Sequence, residues 1–342
     1  MLKKKSIIPH DKPVYREVIP QALTFAWQHP AYWLLGIFAA VLQSGGSIDI
    51  FWKFWNSIQN QSDALFSGDV AMRLWQNVNI AGAHGLHWLP YAQALVILLT
   101  FFVIFVAIIL FSCICQGGLV YAIGTWHADK KHFLRQALTV GSQALVPILV
   151  LNVIILAFIW IARFGVSFPL AIAIGNKNAL YLAVYIVSFV VFLVLTLSLA
   201  VMQIYALNAM ILQGATLAQA FARAWSLIKE HWLVTIETAI IQAVISFMLA
   251  LAAVIGIIIL SFPSVILFVF AMFTQNIFVF QLALAIFVIV SIIFGIFVTG
   301  YVVSFQYSVW TIMFRKFGEG GVIPKIYRFT RMLFGKYNVP QS

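Results

Sequence analysis

The chain has 342 residues, of which 63% are hydrophobic and only 8% are charged. Soluble domains carry roughly 25% charged residues, because their surfaces must be covered by polar side chains, so the composition excludes a soluble globular protein and predicts an all-α polytopic membrane protein. The net charge of +11 is not accompanied by any motif typical of nucleic-acid binding, and we assign it to tails and loops on one side of a membrane.

The first thirty residues are predicted to form a basic tail and a short amphipathic helix. Residues 1–5 (MLKKK) are typical of the start of a signal peptide, but polar residues follow where an apolar segment would be needed. We therefore expect no cleavage and a cytoplasmic tail. The heptad QALTFAW at 21–27 belongs to the helix, which His29 and Pro30 interrupt early.

Six apolar segments are long enough to be candidate membrane crossings, for which about 20 residues are needed. They lie at about 31–50, 92–125, 144–161, 179–212, 233–260 and 277–314. A further apolar segment, 264–273 (SVILFVFAMF), is too short to cross. We expect it to be a re-entrant or interfacial piece, or an extension of a neighbouring helix.

The basic residues favour one side of this six-span arrangement. Sixteen Lys and Arg residues fall on the side of the termini, and only four, Lys53, Arg73, Arg163 and Lys177, fall on the opposite side. Because cytoplasmic loops carry the excess of Lys and Arg, both termini are predicted to be cytoplasmic.

Nearly the same heptad occurs three times, as QALTFAW at 21–27, QALTVGS at 136–142 and QAFARAW at 219–225. Each copy stands before the first helix of a hairpin. The apolar stripe of the second copy is Leu134, Leu138, Gly141 and Leu145, and that of the third is Phe221, Trp225, Ile228 and Trp232. A polar stripe in the third copy consists of Gln219, Arg223, Ser226 and Glu230, and Thr216 with Gln219 predicts a capping box. We expect helices that lie in the cytoplasmic interface; the alternative is an ordinary helix end that continues straight into the span.

The unit therefore consists of an interfacial helix, a first span, an outer turn and a long second span, and it occurs three times. The tripeptide SFP at 167–169 and again at 261–263 predicts the outer turns of hairpins 2 and 3. The predicted segments are 1–30 (tail and first interfacial helix), 31–126 (hairpin 1, with a large outer loop at 51–91), 127–213 (interfacial helix and hairpin 2), 214–314 (interfacial helix and hairpin 3) and 315–342 (basic cytoplasmic tail).

Two stretches carry a resemblance to known proteins: AQAFARAWSLIKEHWLVTI at 218–236 and ALTFAWQHPAYWLLGIFAAVLQSGG at 22–46. They resemble the membrane domain attached to some bacterial glycerophosphodiester phosphodiesterases and related uncharacterised integral membrane families. The resemblance implies a protein of the bacterial cytoplasmic (inner) membrane. No catalytic phosphodiesterase barrel accompanies these stretches, so no hydrolase residues are carried over.

Residues that could support chemistry inside the spans are few. Glu237 is the one acid clearly inside a span, and it is either a proton or cation site or an acid near the headgroups that Arg223 or Lys229 neutralises. The uncharged polar residues Asn152, Gln203, Asn208, Gln242 and Gln306 either pair across helices or line a polar pathway. Cys113 and Cys115 are about 200° apart on a helix, so we expect neither a disulfide nor a shared metal.

Four tryptophans near the predicted cytoplasmic ends of the spans, Trp27, Trp33, Trp225 and Trp232, are expected to anchor the chain at headgroup depth. The expected partners are the lipid bilayer, with anionic headgroups at the cytoplasmic face, and either another protein or a second copy of the chain. We expect no cofactor, no metal and no nucleic acid.

The sequence favours a non-catalytic membrane scaffold, partner subunit or lipid-organising protein. The alternative is a transporter or permease for a neutral or lipid-like solute. A cavity that crosses the bilayer and is lined by the Asn and Gln side chains would favour the transporter, whereas a tightly packed bundle with an open hydrophobic flank would favour the scaffold. An intramembrane enzyme has almost no support from the residues.

Overall fold

The computed structural model describes residues 15–43, 89–126, 134–176 and 179–319, and the regular structure of these residues is entirely helical. Within them lie eight helices: α1 (Tyr15–Gln28), α2 (Ala31–Gln43), α3 (Leu89–Thr125), α4 (Leu134–Gln143), α5 (Leu145–Asn176), α6 (Ala179–Gln213), α7 (Leu217–Thr274) and α8 (Ile277–Glu319). The all-helical class predicted from the composition is confirmed.

Five of these helices, α3, α5, α6, α7 and α8, are long and apolar enough to cross a membrane. The sixth predicted span corresponds to α2, which is apolar but has only 13 residues, about 20 Å of helix. Residues 44–50 of that predicted span, and nearly all of the predicted outer loop at 51–91, lie outside the described residues.

The predicted SFP turns are wrong, because both tripeptides lie inside helices, at 167–169 in α5 and at 261–263 in α7. Pro263 removes only one backbone donor, and a membrane helix tolerates that loss where neighbouring groups satisfy the freed carbonyl. The third hairpin turns instead at Gln275, which has a left-handed backbone (φ 49°), and at Asn276, whose Oδ1 accepts a hydrogen bond of 2.9 Å from the Phe278 amide. Residues 264–273 are therefore an extension of α7.

A short helix precedes an apolar helix at three places in the described chain. These short helices are α1, α4 and the part of α7 before His231, whose backbone (φ −124°, ψ 27°) interrupts the helix. The predicted capping box is present at the start of α7, where the Gln219 side chain accepts a hydrogen bond of 3.1 Å from the Thr216 amide.

α4 runs antiparallel along α3 with the two backbones in close contact. Gln136 donates a 3.0 Å hydrogen bond to the Tyr121 hydroxyl, and Gly118 lies against the backbone of Ala137. A methyl group on Gly141 would collide with the carbonyl oxygen of Ile114. The apolar stripe of α4 is thus partly covered by protein, because glycines let α4 approach α3, and the predicted position of α4 in the interface stays a prediction.

α1 and α2 both pack on α8. Glu17 and Lys316 form an ion pair at one end of α1, and Trp27 meets the ring of Tyr301 edge-on at the other. Further along, Gly36 of α2 faces Gly300 of α8 so closely that a Cβ on Gly36 would lie 2.5 Å from the Gly300 oxygen. The N-terminal helices are therefore part of the bundle.

The bundle has two halves that differ in packing. One end of the bundle is called the packed half. It consists of α1, α2 and α4 together with residues 112–125, 145–155, 199–213, 217–246 and 299–319. Its largest fully buried side chains include Phe25, Leu35, Tyr205, Phe305 and Tyr307. We call arms the remaining helical residues, 89–111, 156–176, 179–198, 247–274 and 277–298, where most large apolar side chains whose placement is described are exposed, as Phe273 is to 84%.

The arm formed by α7 and α8 is the longest. The whole of α8, counting its parts in the arm and in the packed half, has 43 residues, about 64 Å of helix, whereas the hydrocarbon core of a bilayer is about 30 Å thick. α7 and α8 stay paired through both regions, from the stacked rings of His231 and Phe317 in the packed half to the edge-on rings of Phe268 and Phe280 in the arm.

Candidate functional site: a buried amide cluster

Three amide side chains from three helices meet in the packed half. Asn152 of α5 donates a 2.9 Å hydrogen bond to Gln116 Oε1 of α3 and another of 2.9 Å to the carbonyl of Ile148. Its own Oδ1 accepts a 2.5 Å hydrogen bond from Gln203 Nε2 of α6. Gln116, Asn152 and Gln203 form what we call the amide cluster.

The backbone of α3 brings these helices close enough for the amides to meet. Gly117 lies against the side chain of Ile148 and the backbone of Gly141, so that α3 contacts both α4 and the start of α5. One turn before Gln116, the thiol of Cys113 lies 4.0 Å from Asn152 Nδ2. Tyr307 of α8 is buried against Gln116, which extends the cluster to a fourth helix.

The chemistry of the cluster is that of neutral hydrogen bonding. Amides carry donors and acceptors but no titratable proton and no nucleophile. In apolar surroundings an unpaired amide costs about 1–3 kcal/mol, whereas a hydrogen bond between membrane helices contributes about 0.6–2 kcal/mol. The arrangement therefore suits fixing the rotation of α3, α5 and α6 against each other.

The structure distributes the other predicted polar residues over separate places. Gln306 of α8 donates a 3.3 Å hydrogen bond to Ser246 of α7. Asn208 bonds its own helix, through Nδ2 to the Ile204 carbonyl at 2.8 Å. The Oε1 of Gln242 is buried and finds no hydrogen-bond partner within the described ranges. Of the six predicted residues, Asn152 and Gln203 are hydrogen-bonded to each other.

Glu237 lies on α7, six residues beyond the interruption at His231, and is half-buried. Of the two basic partners expected for it, Lys229 places its ammonium 5.1 Å from the centre of the Trp225 ring, and Arg223 lines a cavity at the start of α7. The structural role of Glu237 stays a prediction.

The predicted tryptophan anchors fall into two groups. Trp27, Trp225 and Trp232 are half or more exposed, which suits contact with headgroups. Trp33 is half-buried, donates a 2.6 Å hydrogen bond from Nε1 to the Ala26 carbonyl, and packs edge-on against Tyr301. It braces the break between α1 and α2, and the headgroup depth of all four stays a prediction.

Gln116 and Tyr307 belong to the cluster but are missing from the predicted site. The one feature of the sequence that pointed to Gln116 is its position near the end of the second helix of hairpin 1. Hydropathy does not give the rotation of α3 relative to α5, and that rotation decides which amides meet.

Two further observations concern metals and thiols. Within the part of the chain that the structure describes, no group of three or more His, Cys, Asp and Glu side chains could hold a metal ion. Cys113 and Cys115 are free thiols and are buried.

The chain matches no protein-family model, no curated protein and no solved structure. The resemblance to the membrane domain of glycerophosphodiester phosphodiesterases therefore stays a prediction.

Proposed function

We propose that this chain is a non-catalytic scaffold or lipid-organising protein of the bacterial cytoplasmic membrane. Its packed half holds the helices in register, and its arms present apolar surface to lipid and to membrane partners. The sixteen basic residues on the side of the termini support placing the packed half toward the cytoplasm.

The observation that carries this proposal is that the amide cluster is buried and hydrogen-bonded within the protein, whereas the apolar side chains of the arms are exposed. A carrier for a polar solute needs its amides to face a water-filled route. Asn152 is instead 9% exposed, and its Nδ2 and Oδ1 are both engaged by protein groups. This is the packed bundle with an open hydrophobic flank that favours a scaffold.

The six-span topology and the threefold repeat are part of the proposal. The order of a short helix, an apolar helix and a returning helix supports it at α1–α3, α4–α6 and α7–α8. In this arrangement α2 is the first crossing and, at 13 residues, the shortest.

A permease remains the second candidate, because three buried amide atoms are left without a hydrogen-bond partner in the described chain. These are Gln116 Nε2, Asn208 Oδ1 and Gln242 Oε1. Water or a neutral polar solute would satisfy such atoms.

Labelling of Cys113 separates the two functions, because its thiol lies beside Asn152. With Cys115→Ala as background, Cys113 is the sole thiol, and a small water-soluble thiosulfonate is added to the protein in liposomes. A scaffold keeps Cys113 unlabelled until the protein is denatured. As a positive control, Ser226→Cys in a Cys113→Ala, Cys115→Ala background should react at once. Rapid labelling of Cys113 in the folded protein would favour the permease.

A further inference from the structure

The polar stripe at the start of α7 lines a cavity. Gln219, Arg223, Ser226 and Glu230 line an open cavity of about 760 Å³, which the 213–215 turn and Phe314, Phe317 and Gly318 at the end of α8 also border. Small-molecule sites have volumes of this order, about 300–1,000 Å³. We call it the α7 cleft.

The polar stripe does not pack this helix on the bundle, because the segment has three faces with different neighbours. Ala220 and Ala224 are wholly buried and pack the helix on the bundle. Trp225 is exposed on a second face, beneath the ammonium of Lys229. The polar stripe forms the third face, which lines the cleft.

The two charges of the cleft stand at opposite ends. Arg223 and Glu230 are seven residues apart, about 10 Å along the helix. Ser226 donates a 2.7 Å hydrogen bond to Glu230 Oε1 and so holds the carboxylate in place. Arg223 has no ion pair within the described residues. The N-terminus of α7 lies at the Arg223 end, where the helix dipole adds positive potential.

We propose that the α7 cleft binds a zwitterionic phosphate ester that carries a primary amine, of the phosphoethanolamine type. The phosphate is held at the Arg223 end, since a guanidinium donates two parallel hydrogen bonds to phosphate oxygens. The ammonium meets Glu230, and the short methylene link lies over Phe314 and Phe317. This inference rests on the proposed lipid-organising function and names the headgroup that it recognises.

A purely anionic headgroup fits the cleft less well. It would satisfy Arg223 but would bring no positive charge to the Glu230 carboxylate, so the attraction between opposite charges at that end would be missing. Inorganic phosphate would fill only the Arg223 end. A headgroup with both charges is the one that matches both ends.

The test uses the full chain, delipidated in detergent, and counts bound molecules by native mass spectrometry. The probes are short-chain phosphatidylethanolamine, short-chain phosphatidylglycerol and soluble glycerophosphoethanolamine. We expect the ethanolamine lipid to bind more tightly than the glycerol lipid. Arg223→Gln should weaken both lipids about tenfold, as expected for the loss of one charge-assisted hydrogen bond. Glu230→Gln should remove the preference for ethanolamine and keep the phosphate contact.

Lys229→Gln is the matched control, because it removes a charge from the same helix on the Trp225 face. It should leave the ethanolamine preference unchanged. Tight binding of glycerophosphoethanolamine alone would identify a soluble source for the headgroup, and tight binding of the lipid only would identify the bilayer.

Equal binding of the two lipids, or equal losses in Lys229→Gln and Arg223→Gln, would overturn the proposal. Protection of Cys113 from labelling, measured on each variant, shows whether the variant is folded. Because that protection tests the scaffold separately, failure of headgroup binding is distinguishable from failure of the proposed function.

Discussion

The packed half and the arms of this bundle contain similar helices in different surroundings. In the packed half, side chains from several helices meet, as Tyr205 of α6 does with Trp310 of α8 and, at 3.4 Å between hydroxyl oxygens, with Thr235 of α7. In the longest arm, α7 and α8 meet mainly each other, through pairs such as Gly256 with Phe294 and Phe268 with Phe280. The difference shows that the contacts which decide how the helices associate lie in the packed half. The apolar side chains of the arms are mostly exposed to what surrounds the protein.

This difference arises because the lipid tails around the helices are as apolar as leucine side chains. Between helices in a bilayer there is no hydrophobic driving force, so close backbones and interhelical hydrogen bonds decide which helices associate. The packed half has both, in Gly36 against Gly300 and in the amide cluster. In the arms, the hydroxyls of Ser188 and Ser198 bond their own helix at 2.8 Å.

The largest expected effect comes from a leucine at Gly141. A side chain there collides with the Ile114 carbonyl and drives α4 off α3, so we expect a loss of at least about 3 kcal/mol of stability, the upper range for overpacking. Gly295→Leu is the matched control in the arm, where nothing lies within 4 Å of an added Cβ. Thermal unfolding in detergent measures both, and equal losses would break the distinction between the two regions.

The next effect concerns the amide cluster. Asn152→Leu leaves Gln116 Oε1 and Gln203 Nε2 without this partner, so we expect a loss of about 2 kcal/mol from two unpaired groups. Ser188→Ala, in the arm, removes only a bond to its own helix and should cost less than about 0.5 kcal/mol. Adding Gln203→Leu to Asn152→Leu should cost less than the sum of the single changes. Additive losses would show that the two amides act independently.

A smaller effect is expected for Glu237→Gln, near the boundary of the packed half. If Glu237 is structural, the variant should fold and lose at most about 1–2 kcal/mol, the value of a hydrogen bond to a charged group. Normal assembly together with loss of a pH-driven flux in proteoliposomes would instead make Glu237 the coupling site of a carrier.

The sequence predicted features that depend on nearest neighbours along the chain. The capping box of Thr216 and Gln219 is local, and so is the spacing that keeps Cys113 and Cys115 apart. The membrane class follows from composition, and the structure supplies five helices long enough to cross.

The sequence could not predict features that depend on how helices meet. SFP is a turn signal in water, but Pro263 stays inside α7 because apolar residues continue on both sides. The close packing of α4 on α3 depends on Gly141 facing Gly118. The sequence does not show which residue of another helix a glycine such as Gly141 will contact. The sequence likewise does not show which amides Asn152 will meet, because its partners Gln116 and Gln203 come from two different hairpins.

Labelling from within the bilayer tests the division into packed half and arms most directly. A photoactivated carbene reagent dissolved in the lipid is allowed to react with the protein in liposomes, and labelled positions are found by peptide mass spectrometry. We predict strong labelling in 179–198 and 247–298 and little in 199–213 and 299–317, where side chains such as Tyr205 and Tyr307 are buried. Equal labelling of these two sets of residues would contradict the division on which the proposed scaffold rests.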